Sequence, residues 1–444
     1  MSRISQPAGS VRPATWWQTG TPMDRATRIL AVLTGFSIPL STSFAEITTG
    51  LFMAAWFLSG NLAAKWNLIR RNRVALLSLA MFGLLLAGMT WSVEGWAASG
   101  RCLLKYREFL YLPMFVVAFQ EVRLRRLGIS AYMAAAVVLM ALSYVEWLTG
   151  ADYGAGSAPN EYVVSKDRII HGLMMAFLIY LAAVRFVDGP EPMSANTRST
   201  ANWRWIYAVI IGLALCNIVV MVKGRTGYLL LGALTTLFLC ERLGRRGVVI
   251  AGLLLSVAVW AGVTFSNVIR ERVDQTISQI RNQFGPERRH SPDPRLEFYA
   301  NTLELIRRHP LTGTGTGSFQ QEYRGLIAHT DDLPTSDPHN EYLHLASQVG
   351  IPGAALFMLL LSVQWIAAGR IRTADMHTAR AVVITIALGS LFNSLILSVT
   401  GGLIYSYFSG LAFADLSQPS KCGAPQNPTA HDALQSIAAD RRAA

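Results

Sequence analysis

Charge is what this sequence has least of. Only 15% of its 444 residues are charged, whereas 52% are hydrophobic and the mean hydropathy is +0.34. Soluble globular chains carry about a quarter charged residues, so the two or three soluble domains that length alone would suggest do not fit. Cysteine is scarce as well. Cys102, Cys216, Cys240 and Cys422 are the only four, and none lies in the long hydrophilic stretch described below. That argues against a disulfide framework or a cysteine zinc site there. The first residues, with Pro7, Pro13, Trp16 and Trp17, lack the ordered n-region, apolar core and small-residue site of a cleavable signal. No nucleic-acid motif is present. The net charge of +12 instead follows membrane topology, with basic residues placed to meet anionic headgroups.

What the chain has in quantity is long apolar runs. A membrane-crossing helix needs roughly 20 mostly apolar residues. The runs predict an all-α polytopic membrane protein of about 12 helices, near 28–44, 45–60, 74–90, 103–119, 127–148, 169–187, 203–222, 226–240, 247–265, 349–367, 379–399 and 402–416. The first two are short enough to form a helical hairpin. Basic clusters such as Arg70, Arg71 and Arg73, Arg123, Arg125 and Arg126, and Arg242, Arg245 and Arg246 mark the inner side, by the rule that inner loops are positive. Nine helices are expected over 1–265, a large outer loop over 266–348, three more helices over 349–416, and a polar, disordered inner tail over 417–444.

The outer loop carries helix signals. Asp293-Pro294 reads as N-cap and first residue of a helix to about Arg308, with Leu296, Tyr299, Ala300, Leu303 and Ile306 as its apolar stripe. Asp337-Pro338 reads as a second start, leading through His339 towards the span at 349. Between them, Thr312–Ser318 is glycine-rich. It lacks the Gly-Lys-Ser/Thr ending of a phosphate loop, so a tight turn between helices is expected.

His339 is the first candidate for chemistry. At the second helical position, the N-terminal partial charge would hold its imidazole neutral, as a general base requires. The bland alternative is a packing histidine. His339 and His344 are five residues apart and diverge by about 140° on a helix, so no metal site is expected. Arg225 comes second. Lys223-Gly224-Arg225 is a basic turn on the side where basic turns are disfavoured, which suggests an anionic ligand such as a diphosphate, or a lipid-phosphate anchor. Arg295, in the first turn of the loop helix, is third. Arg288 and Arg289 form a weaker pair upstream. Arg101, Lys105 and Arg107 open the span at 103–119 as a secondary anion site, with Glu108 expected to pair with Arg101 or Lys105.

Read in order, these segments resemble a family. Lys223-Gly224-Arg225-Thr226-Gly227 is followed by the Arg295 helix and by His309-Pro310-Leu311-Thr312-Gly313-Thr314-Gly315. Then comes His339-Asn340-Glu341-Tyr342-Leu343, ahead of Gly350-Ile351-Pro352-Gly353. With a dozen spans and one long outer loop, the pattern is similar to the O-antigen ligase and polymerase superfamily of bacterial envelopes. One departure is Lys-Gly-Arg where many relatives have Ser-Arg-Gly. The resemblance implies a GT-C-like, metal-independent glycosyltransferase without cofactor. It would work at the periplasmic face of the inner membrane, moving a glycan from undecaprenyl diphosphate to a lipid A-core sugar. His339 would be its base, and Arg225, Arg295, Lys223, Arg288, Arg289, Lys105 and Arg101 its substrate-binding cations. A polymerase or a protein O-oligosaccharyltransferase would use the same donor. A transporter or flippase is the other alternative, but no internal repeat supports it.

Overall fold

The computed structural model describes residues 20–150, 162–164, 166–189, 203–222, 224–265 and 294–417. Among them the chain is all-helical, without strands. The first half contains α1 (Pro22–Leu40), α2 (Thr42–Leu58), α3 (Leu62–Arg71), α4 (Arg73–Gly88), α5 (Trp96–Lys105), α6 (Glu108–Ala118), α7 (Val122–Thr149) and α8 (Arg168–Asp188). The second half contains α9 (Trp203–Cys216), α10 (Arg225–Leu243), α11 (Arg245–Phe265), α12 (Arg295–Arg308), α13 (Phe319–Ile327), α14 (Glu341–Ala368), α15 (Thr373–Gly389) and α16 (Val399–Ala412).

Local chemistry sets most of the boundaries. Thr21 and Asp24 form a reciprocal capping box at the start of α1, with Pro22 in the first turn. Ser41 ends α1 and caps α2, so the first two apolar runs do form a hairpin. The side chains of Asp167, Asn340 and Ser398 accept backbone N–H bonds at the starts of α8, α14 and α16.

The core sits around α16 and α8. Every residue of α16 from Thr400 to Ala412 is buried, as expected of a helix that is apolar on all sides. It packs against α6 and α15. Gly172 of α8 and Gly227 of α10 let these helices touch: a Cβ on Gly172 would lie 3.1 Å from the Gly227 Cα. On the outside of the bundle, Trp205, Ile206 and Val209 of α9 and Val249, Leu253 and Val257 of α11 are exposed. So broad an apolar surface is a lipid-facing one.

Among the described residues, five helices are long and apolar enough to cross a membrane, or six if α2 and α3, bent by 112° at Ser59–Asn61, count as one broken span. Three expected spans are interrupted. The one at 103–119 breaks at Tyr106–Arg107, between α5 and α6. The one at 379–399 is helical only to Gly389, and 390–398 is an irregular strap leading to Ser398. The one at 349–367 belongs to a longer helix that begins at Glu341 and kinks at Val349–Gly350, where Gly350 has φ 75°. The polar tail from 418 and the loop segment 266–293 lie outside the described residues.

The cause of the kink is tertiary. Gly313, Gly315 and Gly317 all have positive φ, and each is pressed onto another segment. Thr314 and Gly315 donate N–H bonds to the carbonyls of Ser347 and Gln348, Thr316 to that of Gly88, and Ile351 to that of Pro310. Gly317 donates to Gln348 Oε1. The glycine run is therefore the turn between α12 and α13, as expected. It is also a seam joining α4, α5 and the α14 kink. Its N–H groups are used within the protein, so it is no phosphate cradle.

Candidate active site

At one end of the bundle a cavity of about 410 Å³ is lined by Lys105, Asp167, Arg168, Asp337, His339, Ser394 and Ser398, among others. Three walls are the start of a helix or the approach to one, and Lys105 is the last residue of α5. Asp167 and Arg168 open α8, His339 precedes α14, and Ser398 caps α16. Helix N-termini carry partial positive charge and exposed N–H groups. With Lys105 and Arg168 among its walls, the pocket suits a polyanion.

His339 is not inside a helix. Asn340 is the N-cap of α14, and His339 precedes it in the left-handed region, at φ 53°. The dipole argument made for the second helical position therefore does not apply. What orients His339 is an Asp337 turn. The Asp337 Oδ1 accepts the His339 backbone N–H at 2.8 Å and the Ser394 hydroxyl at 2.9 Å, and lies 3.5 Å from His339 Nδ1. The last is an ion-pair distance rather than a formed hydrogen bond. The imidazole lies over Phe298, with ring centroids 6.0 Å apart, and the Tyr299 hydroxyl donates to the His339 and Leu391 carbonyls.

Those contacts place α12, and so Arg295. It is the first residue of α12, three and four positions before Phe298 and Tyr299, and so on their face of the helix. Arg295 is beside the His339 turn without lining the cavity. The helix starts one residue later than expected, with Pro294 as N-cap. Arg225 opens α10 and is exposed. A Cβ on its neighbour Gly224 would lie 3.5 Å from the Arg168 carbonyl, which puts the two arginine-bearing helix ends side by side. Of the α5 cations, Lys105 lines the pocket, whereas Arg101 is exposed one turn away. Glu108 lies 3.9 Å from Arg107, which pairs with Glu46, and not on Arg101 or Lys105 as expected. Lys223, Arg288 and Arg289 fall outside the described residues. Among the described residues, no three His, Cys, Asp or Glu side chains are grouped to hold a metal ion.

Four contributors were missed in the sequence. Lys166 and Arg168 carry the signal that singled out Arg225, basic residues on the side where they are disfavoured. Lys166 is 5% exposed and donates to Thr42 Oγ1 and Thr400 Oγ1 at 2.9 and 3.1 Å. Burial pushes its amine down to about 8. Ser394 and Ser398 were hidden because their segment reads as the end of an apolar helix.

The opposite end is different. There Arg125 meets Asp415 at 2.8 Å and Asp375 at 3.5 Å, Arg242 meets Asp188 at 2.7 Å, and Glu241 meets His377 at 2.7 Å and Arg380 at 3.2 Å. A groove of about 670 Å³ runs along α10 from Tyr228 to Glu241, walled by apolar residues that include Leu229, Leu237, Leu255, Ile384 and Leu388.

No curated protein matches this chain. A family model for O-antigen ligase matches residues 209–358, a segment running from α9 into α14. It contains Arg225, Arg295 and His339, and leaves out Lys105, Arg168 and the 390–398 strap. Over that third of the chain the sequence is similar to the O-antigen ligase family.

Proposed function

We propose that the chain is an O-antigen ligase of the bacterial inner membrane. It takes a glycan from undecaprenyl diphosphate and joins it to a lipid A-core sugar at the periplasmic face. The family-model match over residues 209–358 supports glycan transfer of the ligase or polymerase type. The observation that carries the finer reading is the pocket itself, where His339, Lys105 and Arg168 meet beside the starts of α8, α14 and α16.

In this reading the diphosphate lies between Lys105, Arg168 and Arg225, with Arg295 and the basic residues Lys223, Arg288, Arg289 and Arg101 around it. The acceptor hydroxyl oxygen attacks the anomeric carbon of the donor sugar. Its proton passes to His339, and the carbon–oxygen bond to the diphosphate breaks, so the lipid diphosphate leaves and the anomeric carbon inverts. Asp337 faces Nδ1, which leaves Nε2 to take the proton. Preorganised cations and helix ends stabilise the charge growing on the leaving group, usually the largest catalytic term. The step requires no metal. The polyprenyl tail follows the groove that starts at Tyr228, one turn from Arg225.

The test is reconstitution. Purified protein is incubated with a lipid-linked glycan and either lipid A-core or a second lipid-linked glycan, with His339→Ala as control. Transfer to lipid A-core that the variant cannot perform is the expected result. Extension of the second lipid-linked glycan would make the protein a polymerase, and movement of the lipid without a new glycosidic bond would make it a transporter.

A further inference from the structure

The wall opposite His339 raises the question of what holds it. Residues 390–398 form no helix, yet they supply Asn393, Ser394, Leu397 and Ser398 to the pocket. An irregular segment keeps its shape only if its backbone groups are bonded to something fixed. Here that something is the His339 turn. Glu341 N–H donates to the Ser390 carbonyl at 2.9 Å, Asn340 Nδ2 to the Leu391 carbonyl at 3.0 Å, and the Ser394 hydroxyl to Asp337 Oδ1 at 2.9 Å.

One side chain completes the attachment and extends it. Glu341 is fully buried. Its Oε2 accepts the Ile396 N–H at 2.9 Å and the Leu397 N–H at 3.4 Å, and its Oε1 accepts the Tyr106 hydroxyl at 2.9 Å. Tyr106 directly follows Lys105, at the break between α5 and α6. Its hydroxyl also lies 3.2 Å from His344 Nδ1, one turn along α14. Two oxygens thus receive three donors from two segments, the strap and the α5–α6 break. A carboxylate, which only accepts, suits that arrangement, and a buried carboxylate is expensive unless such bonds satisfy it.

We propose that Glu341 is a positioning residue. It fixes the span between Lys105 and His339, and with it the strap that closes the pocket, by binding the Tyr106 hydroxyl on one oxygen and the strap N–H groups on the other. Its kinetic consequence rests on the ligase reading above. Its geometric consequence does not.

The two oxygens separate two effects. Tyr106→Phe removes only the tie to α5, so Lys105 loses its register while the strap and His339 keep theirs. The KM for the lipid-linked donor should rise about tenfold, the scale of a lost hydrogen bond to a charged group, with kcat unchanged. Glu341→Ala also frees the strap and should lower kcat by at least about tenfold. Glu341→Gln should restore most of it. The amide oxygen can accept the strap N–H groups, while the amide N–H meets Tyr106, whose own O–H then turns to His344.

The experiment uses the full chain with spin labels at Lys105→Cys and Ser336→Cys, after serine replaces the four native cysteines. The distance distribution is read with native Glu341 and Tyr106, and with Tyr106→Phe, Glu341→Ala or Glu341→Gln. We expect it to be narrow with the native pair and Glu341→Gln, and broad with the other two. Donor kinetics of the unlabelled variants are measured alongside. Unchanged distances together with unchanged KM and kcat per folded molecule would overturn the proposal, even if Tyr106→Phe or Glu341→Ala lowered thermal stability. If the unsubstituted protein transfers no glycan but the distances broaden as stated, the positioning role stands and the ligase reading falls.

Discussion

The two cavities of this bundle differ in kind. The 410 Å³ pocket is bordered by Lys105 at the end of α5 and by Arg168, Asp337 and His339 at or before helix starts, whereas the 670 Å³ groove is apolar along most of α10 and ends at Glu241 and Arg380. Charges at the groove end and beyond it are matched within the protein: Glu241 with His377 and Arg380, Arg242 with Asp188, Arg125 with Asp415. Such pairs fasten helices together. At the pocket end, the hydrogen bonds that hold the walls are made largely by the backbone and by Asp337, Ser394 and Glu341. Lys166 is a tie as well, to Thr42 and Thr400, while Lys105 and Arg168 line the cavity beside Asp167 and Asp337. On the reading proposed above, similar residue types serve as fasteners at one end and as a ligand surface at the other.

The largest test of this contrast is His339→Asn. Asparagine tolerates the left-handed backbone that His339 occupies, so the turn should persist while the base is lost. Transfer should fall by about 10²–10⁴-fold in a reconstituted assay. Wild-type turnover would remove His339 from the chemistry.

A second test compares cations at the two ends. Arg168→Ala should raise the donor KM about tenfold, as expected for a lost charged contact. Arg242→Ala, which breaks a partly exposed pair with Asp188, should cost at most about 1 kcal/mol of stability and leave KM unchanged. Equal effects of the two variants on KM would erase the distinction drawn between the ends.

The groove gives a smaller effect. Ala233 lines it, and Ala233→Phe should slow transfer from a full-length polyprenyl donor by roughly threefold, about one lost methylene's worth of burial, while sparing a short-tailed donor. Equal inhibition of both donors would detach the groove from the tail.

The smallest effect concerns pH. Lys166 has its folded-state pKa lowered from 10.5 to about 8 by burial. Between those values the unfolded chain binds more protons than the folded one, so stability should rise as pH increases from 8 towards 10.5. Lys166→Met should flatten that rise in the unfolding temperature. An unaltered slope would show that Lys166 does not titrate as its burial demands.

Much of this was legible in the sequence. Apolar runs located the helices because desolvation of apolar side chains depends little on partners. Asp293-Pro294 placed the start of α12 to within one residue, because proline's fixed φ and missing N–H are local properties. Glycine at 313, 315 and 317 marked a turn, since positive φ is a local need. The strap was not legible. Leu391, Leu395, Ile396 and Leu397 are as apolar as any helix, and bonds from Leu391, Ile396 and Leu397 to Glu341, Asn340 and the Tyr299 hydroxyl, far away in sequence, help to hold the segment in another shape. His339 was expected inside the helix that it precedes because Asp337 was read as the cap that Asn340 supplies.

By itself, the sequence determined that the chain is helical with spans apolar enough for a membrane, and that Arg225, Arg295 and His339 follow one another within the segment that the family model matches. Those properties come from composition, local capping and residue order. Tertiary structure alone decided that Lys105, Arg168 and His339 face one cavity. It also decided that Gly350 kinks α14 against Pro310–Gly317, and that Glu341 is a tie rather than a surface acid. These outcomes depend on which hydrogen-bonding groups meet across hundreds of residues, and no local pattern carries that information.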